Sequence, residues 1–122
     1  MLAAEIALTG CDGVVAGHCG IPFARRLGDA LWLNAGTVGL PADDGTPRVW
    51  YALLRSQAEG LRVSIHPLTY DHAAAASAML AAGLPAGYAE ALSSGIWPSC
   101  DILPLGERAS RGEPIRPSCL IW

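Results

Sequence analysis

The fold of this chain is decided by the stretch Val14-Val15-Ala16-Gly17-His18-Cys19-Gly20-Ile21-Pro22-Phe23. Its β-branched residues favour a strand that runs into Gly-His, and the proline after Ile21 ends regular structure. A histidine at the end of a buried strand lies where loops gather and binding sites form. Flanking glycines let the backbone come close to an ion or a phosphate. His18 is therefore a candidate metal ligand, although a histidine that packs in a core or anchors a loop fits the same pattern.

A second motif follows in the stretch Leu31-Trp32-Leu33-Asn34-Ala35-Gly36-Thr37-Val38-Gly39-Leu40-Pro41. Together the two motifs resemble the last motif region of the calcineurin-like metallophosphoesterases. In that family a strand ends in Gly-His-x-His, a short hairpin follows, and the next strand ends in Asn-x-Gly-Ser-Val-Gly. The resemblance runs from Val14 to Asp71 and continues more loosely through residues 97–100. The earlier family motifs Asp-x-His, Gly-Asp and Gly-Asn-His have no counterpart here, so the chain resembles the C-terminal half of such an enzyme.

The resemblance implies an α+β fold, namely half of a four-layer αββα sandwich with a mostly antiparallel sheet flanked by helices. Residues 1–104 would form the C-terminal portion of a calcineurin-like phosphoesterase domain. Residues 105–122 are rich in Pro, Gly, Arg and Glu, which predicts an extended or disordered tail.

The resemblance also implies a site that holds divalent ions such as Mn, Fe, Zn or Mg and hydrolyses phosphate esters with a metal-activated water. His18 would be the ligand of one ion. The position of the second histidine is occupied by Gly20, which has no donor atom. Cys19 is a thiol between them, but neighbours on an extended segment point to opposite sides, which favours packing over binding the same ion. The residues implied to line the site are Gly17, Cys19, Gly20, Asn34 and Gly36. Asn34 and Gly36 would shape its floor through backbone groups, or form a plain turn.

Composition excludes some classes of function. The net charge is −3 and the chain has no lysine, which argues against an electrostatic grip on nucleic acid. A polyanionic substrate would have to be held by metal. No apolar run reaches the roughly 18 residues that span a bilayer. The four cysteines form no Cys-x-x-Cys pair, which predicts free thiols in a reducing cytoplasm.

Local patterns predict the remaining elements. The expected helices are Leu2–Leu8, His72–Ala82 and Ala86–Ser94, and the expected strands after Val14–Ala16 are Phe23–Leu27, Ala30–Leu33, Arg48–Leu54 and Leu61–His66. Gly28-Asp29 forms a hairpin turn, and Asp71 caps the second helix rather than acting as a catalytic carboxylate. Four antiparallel strands in succession suggest one sheet. Asp43-Asp44-Gly45 predicts a solvated turn rather than a metal site. His66 is expected to lie on the protein surface.

Three hypotheses for function remain open. The chain is the C-terminal part of a metallophosphoesterase, inactive alone; or a non-catalytic binding or remnant domain; or an unrelated small α+β module. A half-sandwich would leave Val14, Leu31, Leu33, Val49 or Tyr51 on an open sheet face. We therefore expect either a homo-oligomer or dependence on a missing N-terminal half.

Overall fold

The computed structural model describes residues 2–122, which form four helices and six strands. In chain order these are α1 (Leu2–Leu8), β1 (Gly13–Ala16), β2 (Phe23–Leu27), β3 (Ala30–Asn34), β4 (Val49–Gln57), β5 (Gly60–Leu68), α2 (His72–Ala81), α3 (Ala86–Ser94), α4 (Leu105–Ala109) and β6 (Ser118–Ile121). The strands make two three-stranded sheets, so the α+β class is confirmed.

The first sheet has the order β1–β3–β2 and positions the two motifs. Strands β2 and β3 form the expected antiparallel hairpin around Gly28-Asp29. Strand β1 runs parallel to β3, with Val14 opposite Trp32 and Ala16 opposite Asn34. Because parallel strands end at the same edge of a sheet, the loops that follow Ala16 and Asn34 lie side by side.

The second sheet has the order β4–β5–β6, with β5 in the centre. Side chains of β5 alternate as the sequence predicts: Val63 and Ile65 are buried, whereas Arg62 is exposed on the opposite face. Strand β6 adds to β5 in antiparallel register, with Cys119 opposite Ser64.

The core lies between the two sheets, and this corrects the expectation of one four-stranded sheet with an open face. Leu31 and Leu33 from β3 pack in one cluster with Trp50, Val63 and Ile65 from the second sheet. Since the two hairpins belong to different sheets that cover each other, Leu31, Leu33 and Val49 are buried and do not lie on the expected open face. Val14 is half-buried and Tyr51 remains exposed. Oligomerisation stays a prediction.

The helices follow their capping signals. The carboxylate of Asp71 accepts a hydrogen bond from the Ala74 amide at 2.9 Å, which confirms Asp71 as the N-cap of α2. Helix α3 ends at Gly95, whose φ of 71° is the left-handed conformation that glycine adopts most easily. No helix within residues 2–122 is long and apolar enough to cross a bilayer.

The C-terminal segment is ordered as helix α4 and strand β6, where the sequence predicts an extended or disordered tail. The backbones of Leu61 and Trp122 exchange hydrogen bonds of 2.6 and 2.9 Å, and the Trp122 indole donates to the Asp29 carbonyl at 2.7 Å. Leu120 and Trp122 pack against the core. The average composition of the segment is that of a tail, but these apolar residues are enough to dock it.

Asp43 and Asp44 are buried, at 3% and 1% exposure, and do not form the expected solvated turn. Asp44 accepts hydrogen bonds from the amides of Thr46 and Ile115, both at 3.1 Å, and pairs with Arg48 at 2.9 Å. The burial follows from these partners, because carboxylate oxygens satisfy amide and guanidinium donors that would otherwise be unpaired inside the protein.

Candidate functional site

The candidate site is formed by the loops that follow β1 and β3. The Ala35 amide donates to the Ala16 carbonyl at 3.0 Å, which continues the parallel pairing beyond the strands. The hydroxyl of Thr37 donates to the His18 carbonyl, also at 3.0 Å. The two motifs that carry the family resemblance therefore contact each other.

Asn34 holds the first loop in place with its side chain. Its amide nitrogen donates to the carbonyl oxygens of Cys19 and Ile21, at 2.6 and 2.7 Å, and the residue is only 1% exposed. The sequence predicts a contribution from backbone groups, but the structure assigns it to the side chain. Gly36, in the same turn, has a φ of 91°, which other residues adopt only under strain.

His18 is exposed at the rim of this loop pair, and Cys19 beside it is exposed too. Within residues 2–122 no group of three or more His, Cys, Asp or Glu side chains lies close enough together to hold a metal ion. A tightly held divalent ion needs about four to six donors. The residues present therefore do not fit a complete metal centre.

Gly20 is buried against the indole ring of Trp97. A β-carbon on Gly20 would lie 2.9 Å from the Cη2 atom of that ring and closer still to Cζ2. The ring is fixed, because its Nε1 donates to the Pro41 carbonyl at 2.6 Å and the Trp97 amide donates to Asp43 at 2.7 Å. The position of the family's second histidine thus has no room for a side chain. The sequence carries no signal for this contact beyond the loose resemblance at residues 97–100.

An apolar cavity of about 470 Å³ opens beside His18. Phe23 and Trp32 form one wall, with their ring centroids 4.9 Å apart in an edge-to-face arrangement. The Arg25 guanidinium lies 4.9 Å from the centroid of the Phe23 ring. The cavity has the character of a pocket for an apolar or aromatic group, with an imidazole and a guanidinium in its lining.

Other residues that the sequence singles out lie elsewhere. His66 belongs to the outer face of the second sheet, where its Nε2 lies 3.0 Å from the Ser64 hydroxyl. His72 begins helix α2, and its Nδ1 lies 3.4 Å from the Ser93 hydroxyl. Gly17 stays in the site, where a β-carbon would lie 3.7 Å from the Gly36 carbonyl oxygen.

Comparison with protein-family models, with curated proteins and with solved structures gave no match.

Proposed function

We propose that this chain is the C-terminal part of a metal-dependent phosphoesterase, a hydrolase of phosphate esters, and supplies one face of the active site. The supporting observation is the parallel pairing of β1 with β3, which sets Gly17-His18-Cys19-Gly20 beside Asn34-Ala35-Gly36. These are the two motif positions of the resembled family, in the same order. His18 is the residue that would contribute a metal donor, and Asn34 positions its loop.

The chain by itself is expected to be inactive. His18 is the one donor that the resemblance assigns, and one imidazole does not hold a divalent ion against water. Since residues 2–122 hold no cluster of further ligands, the proposal assigns the remaining donors to a preceding segment or to another chain.

The decisive experiment measures hydrolysis of an aryl phosphate with Mn²⁺. We expect no turnover by residues 1–122 alone. We expect turnover when they are co-expressed with the N-terminal half of a metallophosphoesterase that carries Asp-x-His, Gly-Asp and Gly-Asn-His. His18→Ala should abolish that turnover, whereas His72→Ala, the matched control at the start of helix α2, should leave it unchanged. Turnover by the isolated chain, or a complemented enzyme indifferent to His18→Ala, would contradict the proposal.

A non-catalytic binding domain is the second candidate, and the contact of Trp97 with Gly20 favours it. The Trp97 ring fills the space that the side chain of the family's second histidine would need at Gly20. The fold is kept, but a metal ligand at this position is excluded. The coding sequence upstream of Met1 separates the two candidates. The missing family motifs, read there in frame, would support the enzyme, and an upstream frame without them would support the binding domain.

A further inference from the structure

The outer face of the second sheet carries a groove whose lining is free of acidic residues. The groove has a volume of about 450 Å³, and the polar groups of its lining are two arginines, two serines, a histidine, a glutamine and a cysteine. Those that bear on binding are Arg55, Arg62, Ser64, His66 and Cys119. In a chain whose net charge is −3, this groove combines two arginines with the absence of any carboxylate from its lining, which favours an anionic ligand.

The two arginines face each other directly. Arg55 of β4 and Arg62 of β5 are cross-strand partners in the antiparallel register, so their side chains leave the same face of the sheet. Like charges at such positions repel and destabilise the pair. The ion pairs found within residues 2–122 join Arg48, Arg108 and Arg111 to carboxylates and include neither groove arginine. An anion bound between Arg55 and Arg62 would convert this repulsion into attraction.

Further donors lie on the same face. Ser64 is two residues from Arg62 and therefore next to it on the outer side of β5. Its hydroxyl lies 3.0 Å from Nε2 of His66, and the imidazole is stacked on the Tyr51 ring with centroids 5.4 Å apart. The stacking and the hydrogen bond limit the freedom of the imidazole, so the polar end of the groove is partly preorganised.

We propose that this groove is a binding site for the phosphate group of a small phosphorylated molecule. Guanidinium groups match phosphate oxygens in a bidentate geometry, and two of them balance a dianion. A phosphate also offers further oxygens to a hydroxyl and an imidazole, which a carboxylate with its two oxygens does not. Nucleic acid fits less well, because a single pair of arginines gives no track along a backbone. The site lies on a different sheet from His18 and does not depend on the proposed activity.

The test uses inorganic phosphate as the probe and thermal unfolding of the 122-residue chain as the readout, at constant pH and ionic strength. Sodium phosphate should raise the Tm of the wild type above its value in sodium chloride, and sodium acetate should not. Arg55→Gln and Arg62→Gln should each lose this rise and, by calorimetric titration, bind phosphate at least tenfold more weakly. Arg116→Gln, an exposed arginine outside the groove lining, is the matched control and should retain both.

A second measurement protects the test against a general effect of the variants on folding. Without phosphate at low salt, Arg55→Gln and Arg62→Gln should melt at the same temperature as the wild type or higher, because the like-charge repulsion is removed. Phosphate should also slow the reaction of the exposed Cys119 thiol with a thiol reagent in the wild type and in Arg116→Gln, but not in Arg55→Gln or Arg62→Gln. If phosphate does not raise the Tm of the wild type above its value in sodium chloride, the proposal is overturned. An equal rise in all variants overturns it too, since it reflects the general stabilising effect of phosphate on compact states.

Discussion

A side chain on Gly20 and the indole ring of Trp97 exclude each other, because the ring already occupies the space into which a β-carbon would point. Trp97 is held there by hydrogen bonds to Pro41 and Asp43, from the loop that follows β3. Gly20, which stands where the resembled family has its second histidine, is thus also a site of close packing. Gly20 lets the His18 loop close against a buried aromatic ring.

Gly20→Ala should lower the free energy of unfolding by about 1–3 kcal/mol, the usual cost of forcing extra atoms into a packed interior. The measurement is urea denaturation followed by tryptophan fluorescence. Gly106→Ala in helix α4 is the matched control, since nothing lies within 4 Å of its β-carbon position. It should be neutral or stabilising, because alanine loses less backbone entropy in a helix. Equal effects of the two substitutions would refute the packing role of Gly20.

The clash with Trp97 predicts coupling between the two sites. In a double-mutant cycle, Trp97→Ala should make Gly20→Ala much less costly, because the smaller residue leaves space for the new methyl group. We expect a coupling energy of about 1 kcal/mol or more, the range for residues in contact. Additive effects in denaturation would show that strain elsewhere in the loop, and not the indole ring, opposes the side chain.

Asn34→Asp should destabilise the protein more than Asn34→Ala. The alanine removes the two bonds to the Cys19 and Ile21 carbonyls at a cost of about 1–3 kcal/mol. The aspartate also points acceptor oxygens at those carbonyls. Gln57→Ala at the exposed end of β4 is the control and should stay within about 0.5 kcal/mol of wild type. Thermal unfolding ranks the three, and faster hydrogen exchange at residues 19–21 should accompany the Asn34 variants. An Asn34→Asp protein as stable as the wild type would argue against the role of the Asn34 side-chain amide in holding the loop.

Asp44→Ala should cost about 3–5 kcal/mol, because it leaves the Arg48 guanidinium without the buried carboxylate that compensates its charge. Asp101→Ala is the comparison within the same chain, since Asp101 also pairs with an arginine at 2.8 Å but is 86% exposed. An exposed pair contributes about 0–1 kcal/mol. Chemical denaturation of both variants measures the two losses in the free energy of unfolding. Equal losses would mean that the buried pair stabilises the protein no more than the exposed pair does.

Tyr70 should make stability fall at alkaline pH. Burial raises the pKa of the Tyr70 hydroxyl above its ordinary value of 10.0, so the folded state favours the protonated form. Stability from this group is complete below pH 10 and is lost as the pH rises through the raised pKa. Tyr70→Phe removes a buried hydroxyl without a partner in the described chain and should flatten the decline. Tyr88→Phe, at an exposed position, should not. Identical pH profiles of unfolding for the two variants would contradict this assignment.

The sequence predicts the local elements well, because their signals are local. Asp71 and Gly95 define helix ends through capping chemistry, and Gly28-Asp29 defines a hairpin turn through backbone conformation. The placement of His18 near Asn34 follows from the motif resemblance, and the structure agrees with it.

The rest depends on contacts between residues far apart in the chain. No local pattern indicates that the two hairpins form separate sheets, since alternation along β5 is the same in either arrangement. No local pattern indicates that Trp97 packs on Gly20 either. An Asp-Asp-Gly sequence favours a solvated turn, and the donors that make burial of the two carboxylates favourable include distant ones, at Trp97 and Ile115, which no local pattern indicates.

The buried pair Asp43-Asp44 has a kinetic consequence. Asp43 bonds to Trp97, which is 54 residues away, and Asp44 bonds to Ile115, which is 71 residues away. Closing loops of that length costs entropy before either bond is gained, so these contacts are expected to form after the rate-limiting step of folding. Substitutions that weaken them should accelerate unfolding and leave the folding rate nearly unchanged. The pair would then determine how long the molecule stays folded rather than how quickly it folds.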